Sequence, residues 1–355
     1  MKILELFGGI GACTKALKRL GLNPTTVDYV EIDKYAVASY NAINGTNFEP
    51  QDICQWDKNI EVDLIMHGSP CQDFSVAGLQ AGGDENSGTR SSLMYESVRI
   101  ITKLKPKYVV WENVKNVLSA KHKHNFDKYL NALTDLGYQN FYQVLNAKDY
   151  GVPQNRERVF VVSILGGGKF EFPEKQELRL RLKDVLQNEV DEKYYLNKKW
   201  HFSTESDEKH DVNEIAQIDG ISYKATRSVI DPNKICRCLD TMGGGQREPK
   251  ILVNEKYTIV GSTQKHAAIS TNGVVPTLTS AMGMGGGHVP MHDYNFRIRK
   301  LTPLECWRLM GFDDEDFHKA AQVNSNTQLY KQAGNSIVVN VLEAIFRNLL
   351  TEGEN

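Results

Sequence analysis

Two rhythms of apolar and polar positions alternate along the first half of the chain. Short apolar runs at Lys2 to Leu6, Thr25 to Glu31, Asp63 to Met66, Tyr108 to Glu112, Gln139 to Asn146 and Arg158 to Ile164 read as strands. Between them apolar residues recur at helical spacing over Cys13 to Leu20, Lys34 to Asn44, Leu93 to Lys103 and His124 to Leu136. The last of these closes at Gly137, where a left-handed C-cap is easily adopted. Strands alternating with amphipathic helices predict a βαβ series, and so an α/β fold with a mostly parallel sheet and helices on both faces.

After the glycine run at Gly166 to Lys169 this regular alternation stops, and charged, helix-breaking and glycine-rich stretches replace it. A second, smaller domain is expected to begin here. Within it "CLDTMGGGQREP" at Cys238 to Pro249 and "TLTSAMGMGGGHVP" at Thr277 to Pro290 share an order of leucine, hydroxyl residue, methionine, triple glycine and proline, which implies two loops of one kind. Helical pattern returns with "TPLECWRLMGF", where Thr302 suits the N-cap, Pro303 the first helical position and Glu305 the third, and Gly311 ends it. The final "GNSIVVNVLEAIFRNLL" reads as a turn and a helix that packs back on the first domain. The expected organisation is residues 1–165 as the first domain, 166–297 as an insertion, and 298–355 as a return segment completing the first.

With 355 residues, 41% hydrophobic and 24% charged, the chain has material for a large core and reads as an ordinary globular protein. It has no apolar tract long enough to cross a bilayer, and "MKILELFGG" runs into glycines without a signal-peptide core, so a cytoplasmic location is expected. The six cysteines lie far apart, which favours reduced thiols over a disulfide framework. A formal net charge of −2 does not by itself suggest a nucleic-acid partner, so any such partner must meet a local basic face.

Candidate chemistry gathers at the predicted carboxyl ends of the strands. "ELFGGIGACTK" is a strand, a turn and a helix start, with Phe7, Gly9 and Gly11 spaced F-x-G-x-G so that backbone can approach a ligand. Thr14 stands where a dinucleotide fingerprint would carry its last glycine. Glu31 ends the next strand about twenty residues on, where an acid can hold ribose hydroxyls. Asp52 stands where a third strand end is expected and could accept a bond from an adenine amino group. Each acid alone reads as a surface carboxylate before it reads as a site; together with the glycine turn they outline a nucleoside-containing cofactor.

Cys71, in "GSPCQDFS", follows what would then be the fourth strand, on the same sheet edge. Its polar neighbours Ser69, Gln72, Asp73 and Ser75 argue against an apolar packing niche, and His67 alone is too few companions for a metal, so a nucleophile is favoured. "YVVWENV" then ends in Glu112 and Asn113. A carboxyl screened from water there can have a raised pKa and donate a proton or hydrogen bond to a substrate ring.

In order along the chain, "FGGIG", "EID", "SPCQDFS", "ENV", "YGVPQNRERVFVV", "RKLTPLECWRLMGF" and "QAGNSIVVNVL" resemble the motif series of the DNA (cytosine-5) methyltransferases. The resemblance covers roughly Met1 to Ser163 and Phe296 to Leu350, and leaves out a middle region that varies within that family. It implies an S-adenosylmethionine-dependent, Rossmann-like methyltransferase fold with an inserted target-recognition domain. It further implies cofactor binding by Phe7, Gly9, Gly11, Glu31, Asp52, Ile53, Pro70, Leu93, Asn335 and Ser336. Ile32 is a departure, since many members carry an aromatic there to stack on adenine. No metal is implied, and the lone Cys236-x-Cys238 pair does not suggest zinc.

The same resemblance makes Cys71 the thiolate that attacks carbon 6 of a cytosine flipped out of duplex DNA. Glu112 then bonds ring nitrogen 3 and the amino group, carbon 5 takes the methyl, and S-adenosylhomocysteine is the product. Arg156 and Arg158 resemble the pair that supplies fixed positive charge near the cytosine O2. The glycine- and serine-rich stretch from Phe74 to Ser92 reads as a lid, with Gln72 and Ser75 touching DNA. Gln246 and Arg247 in one glycine loop and His288 in the other are candidates for major-groove contacts. Double-stranded DNA is the expected partner of a monomeric enzyme, bacterial or phage-encoded, sharing its site with a cognate restriction endonuclease or acting alone. A transfer-RNA cytosine-5 methyltransferase and a silent DNA-binding regulator are the alternatives; a nicotinamide oxidoreductase leaves Pro-Cys, ENV and Q-x-R-x-R unexplained.

Overall fold

The computed structural model describes residues 1–70, 90–203, 214–254, 258–260, 269–270, 291–293 and 296–351. Cys71, Gln72, Ser75, nearly all of the expected lid, and the second triple-glycine loop with His288 lie outside the described residues. In chain order the first part runs β1 (Lys2–Leu6), α1 (Ala12–Arg19), β2 (Thr25–Val30), α2 (Lys34–Asn44), β3 (Leu64–His67), α3 (Met94–Leu104), β4 (Tyr108–Val114), α4 (Lys123–Asp135), β5 (Tyr138–Asn146), β6 (Gln154–Asn155) and β7 (Glu157–Leu165). The middle holds β8 (Trp200–Phe202), β9 (Glu214–Ile218), α5 (Lys224–Arg227), β10 (Ser228–Ile230), β11 (Cys236–Arg237), β12 (Lys250–Asn254), β13 (Thr258–Val260), β14 (Ile269–Ser270), β15 (Met291–Asp293) and β16 (Phe296–Lys300). Four helices close the chain: α6 (Pro303–Arg308), α7 (Asp314–Ala321), α8 (Asn326–Asn335) and α9 (Val339–Thr351).

The main sheet has the order β2-β1-β3-β4-β7-β5. β2, β1, β3 and β4 are parallel, because each is joined to the next by a crossover that contains a helix. β7 is antiparallel to both β4 and β5, since the short link after β5 holds only a turn and β6 and leaves no room for a crossover. One face packs Leu4, Leu6, Ile65, Val109, Trp111, Val159 and Val161 against Met94, Ile100 and Ile101 of α3 and Phe126, Tyr129 and Leu133 of α4. On the other face Glu5 meets Thr14 of α1 and Tyr40 of α2. Val109, Val110 and Trp111 are all fully buried, as the continuous apolar run of a strand covered on both sides requires.

One expectation fails between α2 and β3. No strand ends at Asp52; its carboxylate instead accepts the Cys54 N–H at 3.0 Å and caps a single 3₁₀ turn, Ile53–Gln55. A three-residue stretch this rich in local side-chain bonding forms a turn in preference to a strand. Residue 71 therefore follows the third strand of the chain.

The chain divides into two compact units. Unit 1 comprises Met1–Val185, Ile235–Arg247 and Pro303–Asn355; unit 2 comprises Leu186–Lys234 and Glu248–Thr302. The boundaries expected at 165/166 and 297/298 are displaced, and the inserted segment is interrupted. Ile235–Arg247 returns to unit 1 because β11 pairs with β6, Cys236 N–H donates to Pro153 O at 2.7 Å, and Leu239 N–H donates to the Gln154 side chain at 3.1 Å. Unit 2 has its own five-stranded sheet, β16-β12-β10-β9-β8, over a small core of Ala216, Ile218, Val229, Leu252 and Ile298. Among the described residues no helix is long and apolar enough to cross a membrane.

Candidate active site

The turn after β1 is built for close approach. Phe7, Gly9 and Gly11 all have positive φ, at 54°, 54° and 84°. Gly8, which the F-x-G-x-G pattern leaves unspecified, is the tightest position: a Cβ there would lie 2.5 Å from the Tyr29 ring. The Tyr29 hydroxyl in turn donates to Gly9 O at 2.5 Å, so β2 clamps the turn. Glu31, just past β2, accepts Gly9 N–H on one oxygen at 3.1 Å and Asp33 N–H on the other at 2.9 Å. Burial pushes its carboxyl above the ordinary glutamate value against these backbone donors. Ile32 beside it is 70% exposed, and the Gln51 N–H bond to Glu31 O at 2.8 Å brings Asp52 alongside. Ile53 is buried, with Leu93 packed against the same core.

Glu112 lies near the end of β4, only 8% exposed, with its Oε1 3.0 Å from Arg158 Nε on the neighbouring strand β7. Burial raises its carboxyl above the usual range, and the Arg158 and Arg156 guanidiniums hold part of that rise back. The backbone turn preceding residue 71 is anchored to this strand. Trp111 Nε1 donates to Ser69 Oγ at 3.1 Å, and Asn113 Nδ2 donates to Ser69 O at 3.1 Å. A Cβ on Gly68 would stand 3.5 Å from Glu112 Oε2. Beneath the turn, His67 bonds the Tyr129 hydroxyl at 2.8 Å and stacks on Trp111; burial lowers its pKa to about 3, so the ring is neutral.

Arg156 and Arg158 diverge in use. Arg156 is 4% exposed and spends its terminal nitrogens on the carbonyls of Leu239 at 2.9 Å, Gly334 at 3.0 Å and Ser336 at 2.8 Å. It therefore holds the returning chain in place and acts on Glu112 through charge, whereas Arg158 pairs with the carboxylate directly. One cleft is lined by Phe7, Gly9, Gly68, Glu112, Asn335 and Ser336, which unites the glycine turn with the carboxyl edge of β4 and the end of α8. Gln246 and Arg247 are exposed in the turn that ends Ile235–Arg247, with Gln246 at φ 59°; both belong to unit 1 and not to the inserted unit.

Glu5 and Cys238 were not among the expected site residues. Glu5, also lining the cleft, is 1% exposed and accepts the Thr14 hydroxyl at 2.5 Å and the Tyr40 hydroxyl at 3.0 Å. Cys238 Sγ lies 3.5 Å from Arg156 Nη1 and 3.8 Å from Arg158 Nη2. The acid preceding the glycine turn was a visible signal for Glu5; nothing local marks Cys238, which meets the arginines only through the β11–β6 pairing. Among the described residues no group of three or more His, Cys, Asp or Glu side chains is arranged to hold a metal.

The family model for C-5 cytosine-specific DNA methylase matches residues 1–351. The chain belongs to this family. The methylase is 33% identical over 436 aligned residues to the orphan methyltransferase M.SPBetaI of Bacillus phage SPbeta, covering 99% of this chain and 97% of that one. It is 33% identical to the type II methyltransferase M.HhaI of Haemophilus parahaemolyticus, over 98% of this chain and 94% of that one. Among solved structures its fold is similar to an S. pombe Dnmt2 methyltransferase, with a TM-score of 0.63 at 17% identity and full coverage of both chains. A putative DNA modification methyltransferase from an E. coli prophage gives 0.61 at 18%, over 99% of each chain. The expected family, enzyme class and α/β methyltransferase fold are thus borne out.

Proposed function

We propose that this methylase transfers a methyl group from S-adenosylmethionine to carbon 5 of a cytosine flipped out of double-stranded DNA. The observation that carries the reading is the buried Glu112–Arg158 pair, 3.0 Å apart, in the cleft that also holds the glycine turn, Asn335 and Ser336. The cofactor fits what is there. The turn admits no side chain at Gly8, so backbone lines the approach, and each Glu31 oxygen carries a backbone donor while keeping acceptor capacity for ribose hydroxyls. Phe7, Gly9, Gly11, Glu31, Asp52, Ile53, Pro70, Leu93, Asn335 and Ser336 would hold it, with the exposed Ile32 offering an aliphatic face to the base. When bound, it supplies an electrophilic methyl group on a sulfonium.

Cys71 forms the bond to carbon 6, and the ring electrons move toward carbon 5. Glu112, whose burial favours the protonated form, supplies a hydrogen bond or proton to ring nitrogen 3 as negative charge develops. Arg158 fixes that carboxyl and adds positive charge beside the ring. Loss of the carbon 5 proton to solvent leaves its electron pair to re-form the ring double bond, which breaks the carbon–sulfur bond and returns the Cys71 thiolate, and any proton taken by nitrogen 3 goes back to Glu112. Gln72 and Ser75 contact DNA on the lid side, and Gln246, Arg247 and His288, with unit 2, read the target. Exposure of Gln246 and Arg247 supports their part. The enzyme works as a monomer in the cytoplasm of a bacterium, native or phage-infected, alone or with a restriction endonuclease of the same specificity.

The test is nucleoside analysis by mass spectrometry of unmethylated DNA after incubation with S-adenosylmethionine and either wild type or Cys71→Ala. 5-Methylcytosine formed by the wild type alone supports the reading. None on varied DNA, with methylation of RNA under the same conditions, replaces the substrate; none on either overturns it.

A further inference from the structure

We propose that Cys238 is a positioning residue of the methyl-transfer site: its sulfur shares the Arg158 guanidinium with Glu112 and, when ionised, favours the protonated carboxyl of Glu112. This rests on the reading of Glu112 as the group that bonds the cytosine ring. Arg158 stands between two acids, and Arg156 shares one of them. Arg158 presents Nε to Glu112 Oε1 at 3.0 Å and Nη2 to Cys238 Sγ at 3.8 Å, while Arg156 Nη1 reaches the same sulfur at 3.5 Å. The sulfur also lies 3.5 Å from Leu239 O. Cys236 and Arg237 on β11 and Asp240 just beyond are the other ionisable groups near it along the chain.

Burial works to raise the Cys238 thiol, and the Arg156 and Arg158 guanidiniums outweigh it, holding the thiol below the ordinary cysteine value. Its surface is nonetheless open to solvent. Placing a thiolate on one side of Arg158 diverts part of that cation's field from Glu112 and adds a like charge behind it. Both effects disfavour the Glu112 carboxylate, so Glu112 retains its proton to higher pH. Cys238 touches neither substrate nor cofactor in this scheme; it acts through Arg158.

Two measurements test it. In a Cys71→Ser background without cofactor, alkylation by iodoacetamide at neutral pH is followed peptide by peptide; the thiolate displaces iodide and forms a carbon–sulfur bond. Cys54 is the internal standard, an exposed thiol raised above the ordinary value by desolvation and by Asp52. Cys238 is expected to react several-fold faster than Cys54. In the otherwise native enzyme, kcat for 5-methylcytosine formation is measured against pH for wild type, Cys238→Ser and Cys238→Asp. Serine removes the charge and is expected to move the alkaline limb of kcat to lower pH, with KM for S-adenosylmethionine unchanged. Aspartate restores the anion and is expected to return the limb toward wild type, which a packing role would not do. Alkylation no faster than at Cys54, or a serine profile that overlays wild type, overturns the proposal. A wild type that makes no 5-methylcytosine overturns the function reading first, and the positioning role with it, whatever the alkylation rate.

Discussion

A buried carboxyl that must hand a hydrogen to a ring is only useful while it holds one. For Glu112, the proposed donor, burial works to raise the carboxyl above the ordinary value while Arg158 and Arg156 hold part of that rise back. Glu112→Gln keeps a hydrogen-bond donor but loses the acidic proton, so kcat should fall by about a hundredfold or more, with S-adenosylmethionine affinity retained. Single-turnover methylation and cofactor titration on the same preparation check both halves. Glu5 makes a different kind of prediction. Desolvation, partly opposed by the Thr14 and Tyr40 hydroxyls, raises it from 4.5 to about 7 in the folded protein. Its contribution to stability is full below the unfolded value and is lost as pH rises through the folded one, a difference of about 3 kcal/mol. The drop in unfolding free energy between about pH 4 and pH 8 should therefore be smaller in Glu5→Gln than in wild type by roughly that amount; equal drops would sink the assignment. At this scale the sequence was informative where residue types sit on strand ends, as with Glu31 and Glu112. It was silent on Cys238, whose neighbours are about eighty positions away in the chain.

The strands and helices of the α/β series were legible because each is long enough to show its own period, and the observed ends differ from the expected ones by a few residues at most. Short elements were not. The two-residue pair β6–β11 has no period to read, and Asp52 heads a turn whose bonding is local. Yet that small pair has large consequences for α8. Gly334 sits in this helix, and a Cβ there would lie 1.9 Å from Asp240 O and 2.7 Å from Thr241 N. Helix propensity alone favours Gly334→Ala by about 1 kcal/mol. The contact is with backbone, which cannot rotate away, so the net effect should be destabilisation of about 2 kcal/mol or more. Urea midpoints at constant m decide the sign. Activity should fall too, because Arg156 holds the Gly334 and Ser336 carbonyls at the cleft.

For the whole molecule, net charge and target are at odds, since a chain with formal charge −2 is read here as binding a polyanion. Local contacts must then supply the attraction. With about four phosphates neutralised, affinity for non-specific DNA should fall on the order of a hundredfold between about 50 and 200 mM salt. A slope near zero in fluorescence anisotropy titrations would argue that duplex DNA is not the ligand. Arg247→Ala should weaken binding to cognate duplex while leaving S-adenosylmethionine affinity unchanged, which the same titrations and calorimetry separate. The domain plan was legible only in part: glycine-rich composition announced an insertion, but composition cannot show that its middle turns back to pair with β6.

That turning back makes the inserted unit two excursions stitched down between them. Leu186–Lys234 and Glu248–Thr302 leave and rejoin unit 1 separately, with Ile235–Arg247 as the stitch. Exchange of this unit between relatives, by recombination or by design, therefore cannot be a matter of two outer joints. A graft has to bring a middle segment that fits the host's Gln154, Arg156 and Gly334, or keep the host's own stitch and replace each excursion as a separate panel. On the proposed reading of the target by unit 2, new specificities would be easiest to reach one panel at a time.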